Sequence, residues 1–304
     1  MRIRSNRVVT PEGIAPATLH LDGPRIAAVE NHGPADVDYG DLVIMPGLVD
    51  SHVHVNEPGR TEWEGFATAT AAAAAGGITT IVDMPLNSIP ATTTLAALET
   101  KQRVARGDVN VELWGGVVPG NTHELQPMLA AGARGFKCFL VHSGVDDFPN
   151  VDEAQLREAA TELAPTGAPL LVHAELPEYL HGPTGDAGDY ATYLHTRPNA
   201  AEDAAIELLL RVCRDTGARI HVVHLSSASA LDILRRAQAE NLPLRAETTP
   251  HYLHFEAEKV PRGHTEYKCA PPIREHENRE QLWRGLASAL IDIVVNDDSP
   301  STPQ

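Results

Sequence analysis

Gly47-Leu48-Val49-Asp50-Ser51-His52-Val53-His54 decides how this chain is read. An apolar run opens after Pro46 and ends in two histidines spaced i, i+2. In an extended strand those side chains point to the same side, so one strand offers two imidazoles to one metal ion. Further on, Lys137, His173, His224 and Asp297 each fall at the C-terminal end of another apolar, strand-like run. Barrel enzymes place their chemistry at strand C-termini. The pattern predicts a metal-dependent hydrolase.

From Pro46-Gly47 onward, strand and helix patterns alternate. Eight strand candidates cover 48–53, 78–84, 111–118, 135–140, 169–173, 219–224, 243–247 and 291–297. Several are near-continuous apolar runs, as strands buried on both faces should be. Helical patterns cover 62–75, 93–106, 124–131, 152–163, 201–216, 228–240 and 279–289. Asp152 and Ser227 are good N-cap residues, and Gly76, Gly107 and Gly217 are good stops. This order predicts an α/β fold, a TIM (β/α)8 barrel over 47–304. A doubly wound open sheet is the competing architecture. No glycine-rich dinucleotide turn follows the first strand, however, and shared ligands require the first and last strands to meet. Residues 1–46 read as short strands at 2–9, 17–21, 25–30 and 42–45, part of a small N-terminal β-sandwich. Because the sequence stops at Gln304, soon after Asp297, the barrel is expected to lack its last helix. A chain truncated after strand eight would leave apolar surface uncovered and associate poorly folded.

The 304 residues are 42% hydrophobic and carry a formal charge of −17, which argues against nucleic acid or an anionic membrane as partner. Cys138, Cys213 and Cys269 are scattered, with no CxxC, which fits a reducing cytosol. No stretch has the length of a signal h-region or a membrane span. A soluble, cytoplasmic enzyme acting on a small molecule is expected.

Imidazole suits Zn²⁺, and a carboxylate completes a hydrolytic site open to water. Lys137, inside Gly135-Phe136-Lys137-Cys138-Phe139-Leu140, is the unusual member. A charged, unpaired lysine in an apolar strand is costly. Either it snorkels outward, or beside a metal its neutral amine captures CO₂ and bridges two cations as a carbamate. A two-metal centre polarises a carbonyl and generates hydroxide near neutral pH.

The segment from Gly47 to His54 resembles the entry motif of the amidohydrolase superfamily, in its branch of cyclic amidases: dihydroorotases, hydantoinases and allantoinases. That resemblance implies two divalent metal ions, Zn²⁺ by preference. His52, His54 and Asp297 would hold one, His173 and His224 the other, with carboxylated Lys137 bridging. Asp297 would also carry the proton from the attacking hydroxide to the leaving nitrogen. A homo-oligomer, a tetramer in the family, is implied as well.

Within the branch, four segments look most like the allantoinases: Asn56-Glu57-Pro58-Gly59-Arg60, Asp83-Met84-Pro85-Leu86-Asn87-Ser88-Ile89-Pro90, Phe136-Lys137-Cys138-Phe139 and Lys268-Cys269-Ala270-Pro271-Pro272-Ile273-Arg274. Dihydroorotases carry arginine where this chain has Asn56, and a bidentate arginine is the natural partner of a carboxylate. Its absence suits a neutral cyclic amide, and the resemblance implies hydrolysis of allantoin to allantoate. The other readings are a dihydroorotase or hydantoinase, and a non-catalytic scaffold. Asn87, Ala270 and His251 are candidate substrate contacts, with His251 either lining the pocket or bracing its loop. Glu175 either orients a ligand as an outer carboxylate or is solvated. His142, His181, His195 and His264 read as bystanders in polar loops, and the cysteines as small packing residues. Relatives usually have histidine where this chain has Asp298. A second carboxylate there would add charge beside the ligand or compete for metal.

Overall fold

Arg2–Thr10 (β1) and Gly13–Asp22 (β2) pair antiparallel about Pro11-Glu12, and Arg25–Asn31 (β3) continues antiparallel along β2. Val37–Asp38 (β4) and Val43–Ile44 (β5) add to β1 in parallel. The sheet order is β3-β2-β1-β4, with β5 also on β1, around a small core of Val8, Ala17 and Leu19. This computed structural model describes residues 1–300, and the chain divides into a unit Met1–Leu48 and a unit Val49–Gln304. The sequence pattern anticipates four of these five strands. Val37–Asp38 has only two residues and no alternation to reveal it.

The second unit is built on parallel strands, which puts the α/β class on firm ground. They are Leu48–Val53 (β6), Ile78–Asp83 (β7), Asn110–Leu113 (β8), Gly115–Gly116 (β9), Phe136–Phe139 (β10), Leu170–His173 (β11), Ile220–Val222 (β12), Leu244–Thr248 (β13) and Ile293–Val294 (β14). One sheet runs β14-β13-β12-β11-β10-β9 and the other β6-β7-β8. Every residue of β10 and β11 is buried, as their unbroken apolar runs require.

The expected strand 111–118 is therefore two strands, because Trp114 changes partners. Its N–H donates to Asp83 O at 3.0 Å, whereas the next residue, Gly115, donates to Gly135 O at 2.9 Å. The Trp114 indole N–H reaches Ser51 O at 2.8 Å. At the other edge Asp297 N–H donates to His52 O at 3.1 Å and His54 N–H to Asp298 O at 2.7 Å. Hydrogen bonds thus join the two sheets at both edges.

Nine α-helices lie among the described residues: Phe66–Ala75 (α1), Leu95–Val104 (α2), Leu125–Ala130 (α3), Glu153–Leu163 (α4), Tyr190–Thr196 (α5), Asn199–Thr216 (α6), Leu231–Ala239 (α7), Pro250–His254 (α8) and His276–Ala287 (α9). α6 packs hardest, burying Ile206, Leu208, Leu209, Leu210 and Val212. Each such side chain contributes about 1.5–3 kcal/mol relative to exposure. α5 and α8 are one- to two-turn pieces, too short for an amphipathic period to register. None of the described helices is long and apolar enough to cross a membrane.

Three cap expectations meet different fates. Asp152 forms a full capping box with Gln155 on α4, and Gly217 ends α6 in the left-handed conformation, φ 71°. Ser227 does not cap α7: it precedes a 3₁₀ turn, Ala228–Ala230, and its hydroxyl donates to Asp203 Oδ1 at 2.9 Å instead. The first helix starts at Phe66, not at residue 62. Gly65 there has no capping side chain, and the Glu57 carboxylate accepts the Phe66 N–H at 2.9 Å from a distance in sequence.

Gly107 also has a role other than a helix stop. α2 ends at Val104, and a Cβ on Gly107 would lie 2.0 Å from Thr70 Oγ1, so only glycine lets this turn approach α1. Thr70 Oγ1 is itself held there, accepting the Asp108 N–H at 3.1 Å and donating to Phe66 O at 2.5 Å. Gly107→Ala should therefore destabilise the fold by about 1–3 kcal/mol, as overpacking does. Urea denaturation measures this, and an unchanged midpoint would mean that Thr70 moves aside freely.

Candidate metal centre

β6 ends at Val53, and the strand period sends His52 and His54 to one side. The two seam hydrogen bonds bring Asp297, three residues past β14, to that same side. His52 Nε2 lies 3.1 Å and His54 Nε2 3.6 Å from Asp297 Oδ1, and ligand atoms of all three fall within 4.8 Å of one another. A second group forms at the ends of β11 and β12. His173 Nδ1 and His224 Nε2 are 3.1 Å apart, and the His52 and His224 ring centroids are 5.5 Å apart. Lys137, from the middle of β10, is buried with its Nζ 4.7 Å over the Phe139 ring. Phe139 stacks in turn on His173 at 4.8 Å. Five of the six residues that sequence singled out thus lie at or just past strand C-termini of the second unit, whereas Lys137 lies within β10 rather than at its end, close enough for its charge to act on His173 and His224.

The backbone is strained where these groups converge. Among the described residues five non-glycine positions have positive φ, and three are here: Asn87 (76°), His224 (39°) and Asp297 (55°). Strain of this kind persists only where surrounding structure enforces it. For His224 the enforcement is visible. The buried Glu202 of α6, ion-paired with Arg274, accepts the backbone N–H groups two and three residues on, Ser226 at 2.9 Å and Ser227 at 3.0 Å.

Burial sets the protonation of the site. It pushes His54 down to about 3, helped by the charge of His52, and carries His173 and His224 well below the ordinary imidazole value. Those three rings are neutral, with lone pairs free for a metal. Burial would lower His52 too, but the Asp297 and Glu247 carboxylates prevail and raise it to about 9. Lys137 is brought down to about 8 by burial, against the pull of Glu247 and Asp297. Its Nζ and His224 Nδ1 are buried without any hydrogen-bond partner. Orphaned donors and acceptors are expensive unless something is meant to sit between them. A buried set of imidazoles, an amine and a carboxylate with unused valences fits divalent metal.

Several polar partners escape a reading of sequence. Glu247, at the end of β13, lies 2.5 Å from His52 Nδ1. Its signal was available, a carboxylate closing an apolar strand like the ligands themselves. Asp83 accepts the Val55 N–H at 2.7 Å and ion-pairs with Lys101, whose Nζ also donates to Met84 O at 2.8 Å. Lys101 was legible only as a lysine on the face of α2 that Ala97 and Leu98 bury. Glu175, completely buried, accepts from His173 Nε2 at 2.6 Å and pairs with Arg197, so the solvated alternative is excluded.

The candidate substrate contacts divide. The Asn87 amide faces His54 Nδ1 at 3.4 Å. His251 both pairs with Thr249 Oγ1 at 3.0 Å and lines a cavity of about 360 Å³ with Phe255, Tyr267 and Cys269. Ala270 is exposed and precedes the cis peptide to Pro271. Asn56 is buried, donating to Pro300 O at 3.1 Å while its Oδ1 has no partner. Asp298 does not join the ligand cluster. Its side chain hydrogen-bonds with Glu64, and only its carbonyl serves the site. His142, His181, His195 and His264 are exposed.

This is the architecture of a metal-dependent hydrolase, and the sequence profile of the amidohydrolase family matches residues 43–266. The chain belongs to that family. It is 51% identical to the allantoinase of Streptomyces avermitilis over 99% of this chain and 69% of that protein. It is 48% identical to the mitochondrial allantoinase of Aquarana catesbeiana, over 99% of this chain and 64% of that protein. Among solved structures it resembles the L-hydantoinase (dihydropyrimidinase) of Arthrobacter aurescens, with a TM-score of 0.87 and 32% identity, covering 97% of this chain and 68% of that one.

The Asp83–Lys101 pair holds the loop that carries His54, and removing one partner strands a buried charge. Lys101→Met should cost about 3–5 kcal/mol. The double change Lys101→Met, Asp83→Asn should recover part of it, because no ion remains unpaired. Thermal or chemical unfolding of the three proteins tests this. A double variant no more stable than Lys101→Met would show that charge is not the cause.

Proposed function

We propose that this chain hydrolyses the ring amide of allantoin to allantoate with two divalent cations, Zn²⁺ by preference. The observation that carries the chemistry is the convergence of buried His52, His54, Lys137, His173 and His224 with half-buried Asp297. The similarity to allantoinases along nearly the whole chain supports the substrate. The two sheets are taken as one closed (β/α)8 barrel from residue 47, supported by the bonds at both seams, with residues 1–46 as a separate β unit. Three free, scattered cysteines support a reducing, cytosolic setting, and the resemblance supports a homo-oligomer.

His52, His54 and Asp297 would hold one cation and His173 and His224 the other. The Lys137 amine, brought down to about 8 and so more readily deprotonated than an exposed lysine, would take up CO₂ as a carbamate and lend its oxygens to both. When bound, the cations polarise the scissile carbonyl and acidify a water. Asp297 accepts the proton of that attacking water and returns it to the ring nitrogen as the C–N bond breaks and the C–O bond forms. Asn56, uncharged and with a free buried acceptor, suits a neutral ring bearing N–H groups better than a carboxylate.

Purified protein should contain about two divalent metal ions per chain, as a bridged centre requires, and His52→Ala or His224→Ala should each lose at least one. Metal analysis that finds full retention in both variants would sink the ligand assignment. Lys137→Ala should lose more activity than the about 10–100-fold typical of an outer partner, with partial recovery in added acetate or propionate. Allantoin should be turned over and dihydroorotate poorly. A higher kcat/KM for dihydroorotate would reverse the reading of Asn56.

A further inference from the structure

Among the described residues Glu247 is the one acid that touches a histidine of the His52–His54–Asp297 group from behind. It closes β13, is buried, and has both oxygens occupied: Oε1 lies 2.5 Å from His52 Nδ1 and Oε2 2.9 Å from His221 Nε2. With both oxygens engaged it does not serve as a ligand itself, and it lies outside the close cluster of His52, His54 and Asp297.

An ionised carboxylate only accepts hydrogen bonds. His52 must therefore carry a proton on Nδ1, and Nε2, 3.1 Å from Asp297 Oδ1, holds the proton that a cation would displace. His221, from the adjacent strand β12, donates to the second oxygen and fixes the plane of the carboxylate. The other ligand on this strand has no such backing, because His54 Nδ1 faces only the neutral Asn87 amide at 3.4 Å. On the second group the same task falls to Glu175, 2.6 Å from His173 Nε2 and paired with Arg197.

Resting on the proposed two-metal reading, we infer that Glu247, clamped by His221, is a positioning residue that fixes the tautomer and aim of His52 and thereby sets the affinity of the His52–His54–Asp297 site alone. A glutamine fills the same space but offers one acceptor and one donor, so it cannot accept from both histidines.

The test is Zn²⁺ titration of the purified protein against a chromophoric chelator, with unfolding curves of the metal-free proteins as a control for folding. Glu247→Gln should weaken one Zn²⁺ by about 10–100-fold, the range for outer hydrogen-bond partners, and leave the other unchanged. Glu175→Gln should spare the site that Glu247→Gln weakens. His221→Gln keeps a donor toward Glu247 and should bind like the original, whereas His221→Leu should weaken the same single site by a smaller factor. If Glu247→Gln fails to fold, the two His221 variants carry the test. Equal weakening of both sites, or of neither, overturns the inference.

A second measurement does not depend on metal. Proton NMR of the metal-free protein should show a far-downfield, exchange-protected His52 Nδ1–H, lost in Glu247→Gln. Its absence from the unsubstituted protein overturns the positioning role, whereas failure to bind two Zn²⁺ with that resonance present overturns the two-metal reading instead.

Discussion

Two backbone hydrogen bonds, Asp297 N–H to His52 O and His54 N–H to Asp298 O, are the constraint on which the site depends. They tie the start of the second unit to its far end, across more than two hundred residues of intervening strands and helices. Bringing such ends together is entropically unfavourable and must be sustained by everything packed between them. Only this seam puts the Asp297 carboxylate within 4.8 Å of two imidazoles from β6. It also accounts for the left-handed backbone of Asp297, φ 55°, since the chain must turn sharply to give its N–H to one strand and its side chain to the site.

Around that seam the protein sorts its charges. Three histidines are kept neutral by burial, while His52 lies between two carboxylates that outweigh burial. Asp297 and Glu247 themselves, which burial would raise, are held well below the usual carboxylate range by the histidines around them. The result is a pocket with more negative charge than its own imidazoles neutralise, beside an amine with no partner. Such an arrangement is unfavourable for a protein that holds nothing there and favourable for one that binds cations.

The candidate ligand positions were legible in the sequence because two simple periods carry them. A histidine pair at i, i+2 and single polar residues closing apolar runs are visible without a structure, and Lys137 stands out for the cost of its setting. What stayed hidden depends on contacts between distant segments. Nothing near Trp114 announces that the backbone would leave Asp83 of β7 for β10 one residue later. Ser227 looks like a helix cap until Asp203 is brought beside it. Gly107 looks like a helix terminator until α1 places Thr70 against it. The acid Glu247 sits at the end of a predicted strand, yet its role appears only when β13 lies opposite His52. Asp298 looked like a competing ligand, but the same turn that aims Asp297 inward sends Asp298 toward Glu64.

The polar supports show why a family fold keeps such a site at a cost to its own stability. Glu202 holds the turn after His224, Asp83 and Lys101 hold the loop after His54, and Glu175 with Arg197 holds His173. Each is a buried charge pair, a kind of interaction that well-packed hydrophobic residues often replace without loss of stability. None of them reaches the cluster of close-lying ligand atoms. They hold the left-handed backbone at His224 and the loop after His54, and so fix where those imidazoles point. The apolar shell of β10, β11 and α6 excludes water and makes those interactions strong. In this unit the core therefore stabilises the two parallel sheets, and the sheets in turn sustain the polar contacts that hold these side chains.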